Sequence, residues 1–235
     1  MIQTITAHRG ASGYQHENTI AAFQTAIDMK ANAIEFDVRR SKDFIYYIHH
    51  DEHINNQNCE DLTFKEIWTL AKEKGYIIPT LEETLLFCRN RIHMDIELKE
   101  EGYEIDLIAF ILKHIDKNQF FIRTFFDASI RIIKDRYPEI TAGLLLGTGE
   151  PKHGFFTRLT ELFPFFRIRR TKADFVSPHY RLLKLLFIKR MHLLHKKVYV
   201  WTVNDETAMK QILLKKNADG IVTDFPDIGL KILNN

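Results

Sequence analysis

Acidic residues occupy every second position in two apolar stretches of the chain. In the first, Glu35 and Asp37 alternate with Ile34, Phe36 and Val38. Successive side chains of a strand point to opposite faces, so the pattern predicts a strand with one apolar and one acidic face. The acidic face either meets solvent at a sheet edge or is buried, and a buried carboxylate pair requires a cation because an unpaired buried charge is costly.

The second stretch, residues 91–99, repeats this pattern. Its apolar positions share one face, and His93, Asp95, Glu97 and Lys99 share the other. Two solvent-facing edges of this kind would be a coincidence. The repeat therefore favours the buried interpretation, with both acidic faces turned towards one interior.

Strands and helices alternate along the rest of the chain, which predicts a parallel sheet. The number of strands and the length of 235 residues suit a single (β/α)8 TIM barrel. We expect one domain over residues 1–235, with a small insertion after the second strand region. The predicted strands cover residues 4–9, 33–38, 91–99, 120–125, 142–146, 173–177, 198–203 and 220–224, with a hairpin strand at 44–50; the predicted helices cover residues 17–30, 63–74, 103–117, 128–137, 182–195, 206–216 and 228–233, with a further helix starting at 79–80.

The amino-acid composition indicates the size of the core and the cellular compartment of this barrel. A hydrophobic fraction of 45% and 18 Phe are sufficient for one large core. Cys59 and Cys88 lack a metal-like spacing, so we expect free thiols in a reducing compartment. No signal-peptide pattern and no apolar run of ~20 residues is visible, and these features predict a cytoplasmic protein. The net charge is +2, but residues 151–200 carry twelve Lys/Arg and two acids, a local +10.

The C-terminal ends of the strands form the reactive mouth of a (β/α)8 barrel. Here that rule brings together three carboxylates, which suit Mg²⁺ or Ca²⁺, and two imidazoles, which can act as acid and base. A guanidinium suits phosphate oxygens. The pattern therefore indicates a phosphate-ester site with one divalent cation. The candidate residues are His8, Arg9, Glu35, Asp37, His50, Glu97, Lys99 and Trp201.

Several of these residues have a structural interpretation as well. Taken alone, His8 fits a hydrogen-bonded core histidine, Lys99 a counter-ion of Glu97, and Trp201 core packing. We expect Asp95, two residues deeper in the strand than Glu97, to be hydrogen-bonded within the barrel instead of binding a metal.

Six sequence motifs carry a resemblance to a known family. They read H-R-G with E-N-T-I-A-A-F-Q-T-A, then I-E-F-D-V, H-H-D, D-I-E-L-K, W-T-V-N and D-G-I-V-T-D-F-P. In this order, from residue 8 to residue 226, the chain resembles the glycerophosphodiester phosphodiesterase family. The resemblance implies a barrel that binds one divalent cation and hydrolyses small-molecule glycerophosphodiesters to sn-glycerol 3-phosphate and an alcohol.

The resemblance also assigns roles to the candidate residues. It implies that one histidine activates the nucleophile, either water or a neighbouring glycerol hydroxyl, while the other protonates the leaving alcohol. It makes residues 51–79 a small insertion over the barrel mouth that contacts the glycerol. Its catalytic residues are His8, His50 and Arg9, its metal ligands are Glu35, Asp37 and Glu97, and its substrate-binding residues are Arg9, Lys99 and Trp201.

This chain departs from the family pattern at several positions. Phe44 replaces a usual glycine, and Lys30 and Asn217 stand where glycine often ends a helix. His16 replaces a proline, and Phe125 replaces a serine. None is a proposed ligand or catalytic histidine, so the departures bear on substrate preference more than on catalysis.

A basic aromatic segment covers residues 155–197. On a helical wheel Leu185 and Ile188 fall among cations, a pattern that suits peripheral contact with an anionic membrane. The alternative is an outer barrel helix whose lysines extend past apolar neighbours into solvent. Binding of nucleic acid is not expected, because the inferred mouth is acidic.

Two other functions remain open at this point. One is a phospholipase D-like lyase on a related barrel, which acts on lysolipids and releases a cyclic phosphate. The other is a non-catalytic barrel that binds phosphodiesters or a membrane, although the presence of both histidines, three acids and Arg9 argues against it. The sequence leaves the oligomeric state open.

Overall fold

Parallel strands close into a barrel in the computed structural model. The structure describes residues 3–147 and 154–234, and in the second of these segments it describes side chains from residue 157 onward. Within these ranges eight strands pair in the order β1-β2-β6-β7-β8-β9-β10-β11, and β11 returns to β1. The predicted (β/α)8 barrel is confirmed. The strands are β1 (Thr4–Ala7), β2 (Ala33–Arg40), β3 (Tyr46–Ile48), β4 (His53–Ile54), β5 (Gln57–Asn58), β6 (His93–Leu98), β7 (Phe120–Thr124), β8 (Ala142–Leu146), β9 (Phe175–Pro178), β10 (Lys197–Val200) and β11 (Gly220–Thr223).

Helices surround the barrel and connect its strands. Thr63 and Thr80 begin two of them with capping boxes, in which each threonine and a glutamate three residues later exchange hydrogen bonds with the backbone. None of the helices in the described part of the chain is long and apolar enough to cross a bilayer. The helices are α1 (Ile20–Asp28), α2 (Phe64–Glu73), α3 (Leu81–Cys88), α4 (Glu104–His114), α5 (Asp127–Arg136), α6 (Gly154–Leu162), α7 (Phe165–Thr171), α8 (Phe187–Leu193), α9 (Glu206–Lys210), continued by a π-helical turn at Gln211–Lys215, and α10 (Pro226–Asn234).

The two acidic strands are neighbours in the barrel. β2 and β6 pair in parallel with Glu35 opposite Asp95 and Asp37 opposite Glu97. All four carboxylate residues are buried, which excludes the solvent-facing edge. The alternate face of β2 points outwards, where the ring of Phe36 packs against α1. The register therefore gathers the acids on the inside of the barrel.

One helix begins later than the sequence pattern predicts. The prediction of a helix over residues 182–195 is wrong for its first five residues, since α8 starts at Phe187. Leu185 and Leu186 have φ angles of 50° and 56°, and such left-handed residues interrupt a right-handed helix. A 3-10 turn at Tyr180–Leu182 precedes them. The helical wheel drawn through Leu185 therefore does not describe this segment.

Residues 51–79 have a small hydrophobic cluster of their own. Ile54, Cys59, Ile67, Ala71 and Ile78 pack there against Tyr47 of β3. This segment also touches the loop after β1, where the rings of His16 and Tyr76 stack at 3.8 Å. Cys59 and Cys88 are free, as predicted. That the segment covers the mouth and contacts glycerol stays a prediction.

Three departures from the family pattern occupy positions that favour glycine. Lys30, Phe44 and Asn217 have φ angles of 64°, 63° and 57°. The left-handed region costs an ordinary residue roughly 1–2 kcal/mol, and asparagine less. The ring of Phe44 is 72% exposed and lies under the Arg40 guanidinium at 5.3 Å. These substitutions are therefore tolerated on the surface, away from the barrel interior.

Candidate active site

Three buried carboxylates form the centre of the mouth. Glu35, Asp37 and Glu97 each offer an oxygen, and these oxygens all lie within 4.8 Å of one another. Burial, followed by the charge of Asp37, raises the pKa of Glu35 to about 7. This cluster thus concentrates negative charge that a hard cation would relieve, and oxygen ligands alone are what Mg²⁺ and Ca²⁺ prefer. The residues present therefore fit a divalent cation.

Arg9 contacts this cluster through both its backbone and its side chain. Its N–H donates to Oε2 of Glu35 at 2.9 Å, and its Nε lies 3.3 Å from Oδ2 of Asp37. Its Nη1 donates to both oxygens of Glu17 at 2.8 Å. Arg9 has a φ of 53°, a strained conformation that surrounding contacts must stabilise. The strain lets one residue turn its N–H and its guanidinium towards the same acidic site.

Lys99 contacts the cluster from the end of β6. Its Nζ donates to Oε1 of Glu97 at 2.8 Å and lies 3.4 Å from Oδ1 of Asp37. Burial raises the pKa of Asp37, but the positive charges of Lys99 and Arg9 outweigh burial and the pKa is lowered overall. Lys99 also lines an open depression together with His50. It therefore acts as a counter-ion of Glu97 and still faces the mouth.

Each candidate histidine contacts a carboxylate through its Nδ1. Nδ1 of His8 lies 2.7 Å from Oδ1 of Asp224, and Nδ1 of His50 lies 2.8 Å from Oδ1 of Asp51. Burial lowers the pKa of His8, but the hydrogen bond with Asp224 and the charge of Glu35 outweigh it, so the pKa is raised overall. With Nδ1 engaged, Nε2 of each ring is the nitrogen left for proton transfer.

The sequence analysis assigned no role to the residues that hold these groups. Asn18, buried after the first loop, donates from Nδ2 to Oδ2 of Asp37 at 2.8 Å and accepts from the Asp37 N–H at 3.3 Å. Asp224 receives further hydrogen bonds from Ser12 at 3.0 Å and Asn204 at 2.5 Å. Asn18, Asn204 and Asp224 lie in the E-N-T, W-T-V-N and T-D-F-P motifs, which were the available signal; Ser12 lies in none of them.

The floor of the site is an ion pair below the carboxylate cluster. Asp95 of β6 pairs with Arg123 of β7, whose Nε donates to Oδ1 at 2.5 Å, and both side chains are fully buried. The prediction that Asp95 is bonded within the barrel is confirmed. Nη1 of Arg123 continues to Oγ of Ser177 on β9 at 3.0 Å. A polar chain therefore crosses the barrel beneath the mouth.

Trp201 lies on the far side of the mouth from the acidic strands. It follows β10, and its Nε1 donates to the carbonyl of Ser177 at 2.7 Å. Its ring packs edge-on against Phe125 and His179, at centroid distances of 5.6 and 5.1 Å. The structure thus brings Arg9, Glu35, Asp37, Glu97 and Lys99 into direct contact, with both histidines beside them. It places Trp201 across the opening.

The chain matches the model of the glycerophosphoryl diester phosphodiesterase family over residues 8–228. It belongs to this family. It is 32% identical to YhdW of Bacillus subtilis (strain 168), over 97% of this chain and 96% of that protein. It is 30% identical to a glycerophosphodiester phosphodiesterase of Caldanaerobacter subterraneus subsp. tengcongensis, over 95% and 94% of the two chains. The protein is accordingly an enzyme, a phosphoric diester hydrolase.

A solved structure shares the fold. It is that of an Oleispira antarctica phosphodiesterase in complex with the product sn-glycerol-3-phosphate. The TM-score is 0.82 at 22% identity, and the match covers 100% of this chain and 98% of that one. At this identity the likeness shows the common barrel.

Proposed function

We propose that this enzyme hydrolyses glycerophosphodiesters to sn-glycerol 3-phosphate and an alcohol, with one divalent cation held by Glu35, Asp37 and Glu97. The observation that carries the proposal is the cluster of three buried carboxylates within 4.8 Å, in a chain of this family. When bound, Mg²⁺ or Ca²⁺ would supply positive charge beside the phosphate and withdraw electrons from it.

The side chains around the cluster supply the remaining functions. The guanidinium of Arg9 approaches Asp37 and is positioned to bind a phosphate oxygen held at the cluster. Lys99 adds a second positive charge, so the negative charge that develops on the phosphate oxygens meets fixed cations. Trp201 offers an apolar wall for the alcohol portion of the substrate.

His8 and His50 form the acid/base pair of this proposal. Asp224 and Asp51 each engage Nδ1, which fixes the ring orientation and directs Nε2 towards the substrate. The raised pKa of His8 favours its protonated form, which suits the acid that donates a proton to the leaving alcohol oxygen. His50 takes the proton of the nucleophile, either water or the neighbouring glycerol hydroxyl, as it attacks the phosphorus and the bond to the leaving oxygen breaks.

Turnover with and without chelator tests this proposal. We expect release of glycerol 3-phosphate from glycerophosphocholine and glycerophosphoethanolamine, lost on addition of EDTA and restored by Mg²⁺ or Ca²⁺. His50→Ala should lower kcat by at least about 100-fold, the low end for loss of a general acid or base. The control is His195→Asn, an exposed histidine with a φ of 55° that asparagine tolerates. Release that resists both EDTA and His50→Ala would refute the mechanism.

Phosphorus NMR separates hydrolysis from the lyase alternative. Attack by the glycerol hydroxyl gives a cyclic phosphate first, and a hydrolase then opens it with water. We expect glycerol 3-phosphate as the accumulating product. A cyclic phosphate that persists, with lysolipids as the better substrates, would instead favour the lyase, and no turnover of either class would favour a barrel that only binds.

We also propose peripheral contact with an anionic membrane through residues 155–197. Phe163, Phe166 and Leu186 are 39%, 74% and 69% exposed. The guanidinium of Arg190 lies 4.4 Å from the ring of Phe163, just before α7, and 5.7 Å from the buried ring of Phe187 at the start of α8, so α8 packs beside the turn between α6 and α7. Apolar groups beside cations suit an anionic lipid surface. The side chains of Phe155 and Phe156, part of the sequence hypothesis, lie outside the described residues.

Flotation with vesicles of phosphatidylglycerol and phosphatidylcholine tests this contact. We expect the protein to float with the vesicles at low salt and to be released at high salt, because ionic screening weakens the attraction. Phe166→Ser with Leu186→Ser should abolish flotation, whereas Leu214→Ser, also exposed at 59%, should not. Protein that stays at the bottom at low salt would remove the idea.

A further inference from the structure

A second cavity opens at the barrel mouth, on the side away from the carboxylate cluster. Its volume is about 470 Å³. Three of its lining residues, Gly147, His179 and Trp201, directly follow β8, β9 and β10, so it lies at the C-terminal ends of these strands. Trp201 belongs both to this cavity and to the proposed substrate site. The remaining lining residues are Arg158, Leu162, Arg181, Leu182 and Lys184.

Among the described residues that line this cavity, every charged side chain is a cation. Arg158 is ion-paired with the buried Glu161 at 2.8 Å, so its charge is offset. Within residues 3–147 and 154–234, no carboxylate lies at ion-pair distance from Arg181 or Lys184, and both are exposed to the cavity. The described part of the cavity therefore presents two cations without an ion-pair partner.

The pKa of His179, which lines the cavity, is affected by the same positive charges. Burial lowers the pKa of His179, and the charges of Arg181 and then Arg158 lower it further. A neutral imidazole leaves the cavity charge to the guanidinium and ammonium groups. A planar guanidinium next to an ammonium is a donor set that suits a phosphate dianion.

The cavity lies within reach of one substrate molecule. Eight strands about 4.8 Å apart and tilted by about 36° give a mouth roughly 15 Å across. The carboxylates lie on β2 and β6, and the cavity lies at β8 to β10, on the opposite arc of the barrel. A phosphodiester whose phosphate sits at the carboxylates can therefore extend one of its two alcohols across Trp201 into the cavity.

We propose that this cavity binds a second phosphate, carried on the leaving alcohol of the substrate. The inference rests on the proposed glycerophosphodiesterase function and names the class of substrate that it favours: diesters of glycerol phosphate with a phosphorylated alcohol. The glycerol half carries only hydroxyl groups, so the extra anion can belong only to the other alcohol. No covalent step is added, since the cavity only binds.

A matched substrate pair tests this preference. Glycerophosphoinositol and glycerophosphoinositol 4-phosphate differ by one phosphate, placed across a six-membered ring from the diester. We expect kcat/KM to be about tenfold or more higher for the phosphorylated compound at low salt, the order of gain from charge-assisted hydrogen bonds to phosphate. Arg181→Gln with Lys184→Gln should reduce this ratio by about tenfold.

A second double variant controls for the change in net charge. Lys189→Gln with Lys197→Gln removes two exposed cations of the same segment that do not line the cavity, and it should keep the ratio within about twofold. Melting temperatures of both double variants confirm that each is folded. High salt should lower the ratio in the wild type and have little effect on it in Arg181→Gln/Lys184→Gln.

The outcomes distinguish this inference from the function on which it rests. Turnover of glycerophosphoinositol with no preference for the phosphorylated compound, or an unchanged ratio in Arg181→Gln/Lys184→Gln, overturns the inference alone. Turnover of neither compound, nor of glycerophosphocholine, overturns both. If Arg181→Gln/Lys184→Gln loses vesicle flotation but keeps the substrate ratio, the anion belongs to a lipid head group and the inference is wrong.

Discussion

The two acids on the inner face of β6 should respond in opposite ways to neutralisation. Asp95 is 0% exposed and pairs with Arg123, which is 1% exposed, so Asp95→Asn leaves a guanidinium buried without its counter-ion. Breaking a buried pair in this way costs about 3–5 kcal/mol. For a chain of this size 1 kcal/mol lowers Tm by about 2–4 °C, so we expect a fall of roughly 6–20 °C.

Glu97→Gln should instead spare the fold and lose the cation. A glutamine oxygen can still accept the hydrogen bond from Lys99, and removal of one negative charge relieves repulsion from Asp37 and Glu35. We expect the metal-free Tm to stay within a few degrees of the wild type. In the wild type a cation at 100 times its Kd stabilises by about 2.7 kcal/mol, which raises Tm by roughly 5–11 °C. Glu97→Gln should lose this rise.

Thermal unfolding with EDTA, Mg²⁺ or Ca²⁺ measures both the loss of stability and the loss of the metal-dependent rise in Tm. Turnover of glycerophosphocholine is then compared at a temperature at which each variant is folded. Asp95→Asn should keep its metal-dependent rise in Tm and most of its activity, whereas Glu97→Gln should lose both. Adding Arg123→Met to Asp95→Asn removes the orphaned charge and should recover part of the lost stability. Loss of the metal response in Asp95→Asn, with a normal response in Glu97→Gln, would show that Asp95, and not Glu97, is the ligand from β6.

Two further substitutions test local features of the fold and site. Lys30→Gly, at a φ of 64° after α1, should raise Tm by about 2–4 °C because it relieves roughly 1 kcal/mol of backbone strain. Lys113→Gly in α4, where the backbone is helical, should lower Tm by a similar amount. Equal effects of the two substitutions in thermal unfolding would contradict the strain argument. Asp224→Asn removes the carboxylate that raises the pKa of His8, so this pKa should fall. The alkaline limb of the pH–kcat/KM profile, which reports the acid, should then move to lower pH. An unmoved profile would exclude His8 from the titrating pair.

Alternation and strand ends were sufficient to predict the barrel and the set of acids in its mouth. Period-two polarity in residues 33–38 and 91–99 reflects burial on both sides of each strand, a physical constraint that a sequence shows directly. The segment before α8 was not predictable in the same way. Leu185 and Leu186 are both residue types that favour helix, yet their backbone is left-handed and their side chains are exposed between the buried Leu183 and Phe187.

The strand register decides which side chains meet at the barrel mouth, and the alternation of polar and apolar positions does not predict this register. Ala7 pairs with Thr223, so the next residues, His8 and Asp224, emerge side by side at the mouth and their side chains meet at 2.7 Å. A slip of one residue would direct Asp224 to the opposite face. The closure of β11 onto β1 across more than 200 residues selects this partner. The ring of His8 is therefore oriented, and its pKa raised, by a partner that is present only when the barrel is complete. Both properties depend on the global fold and not on any local motif.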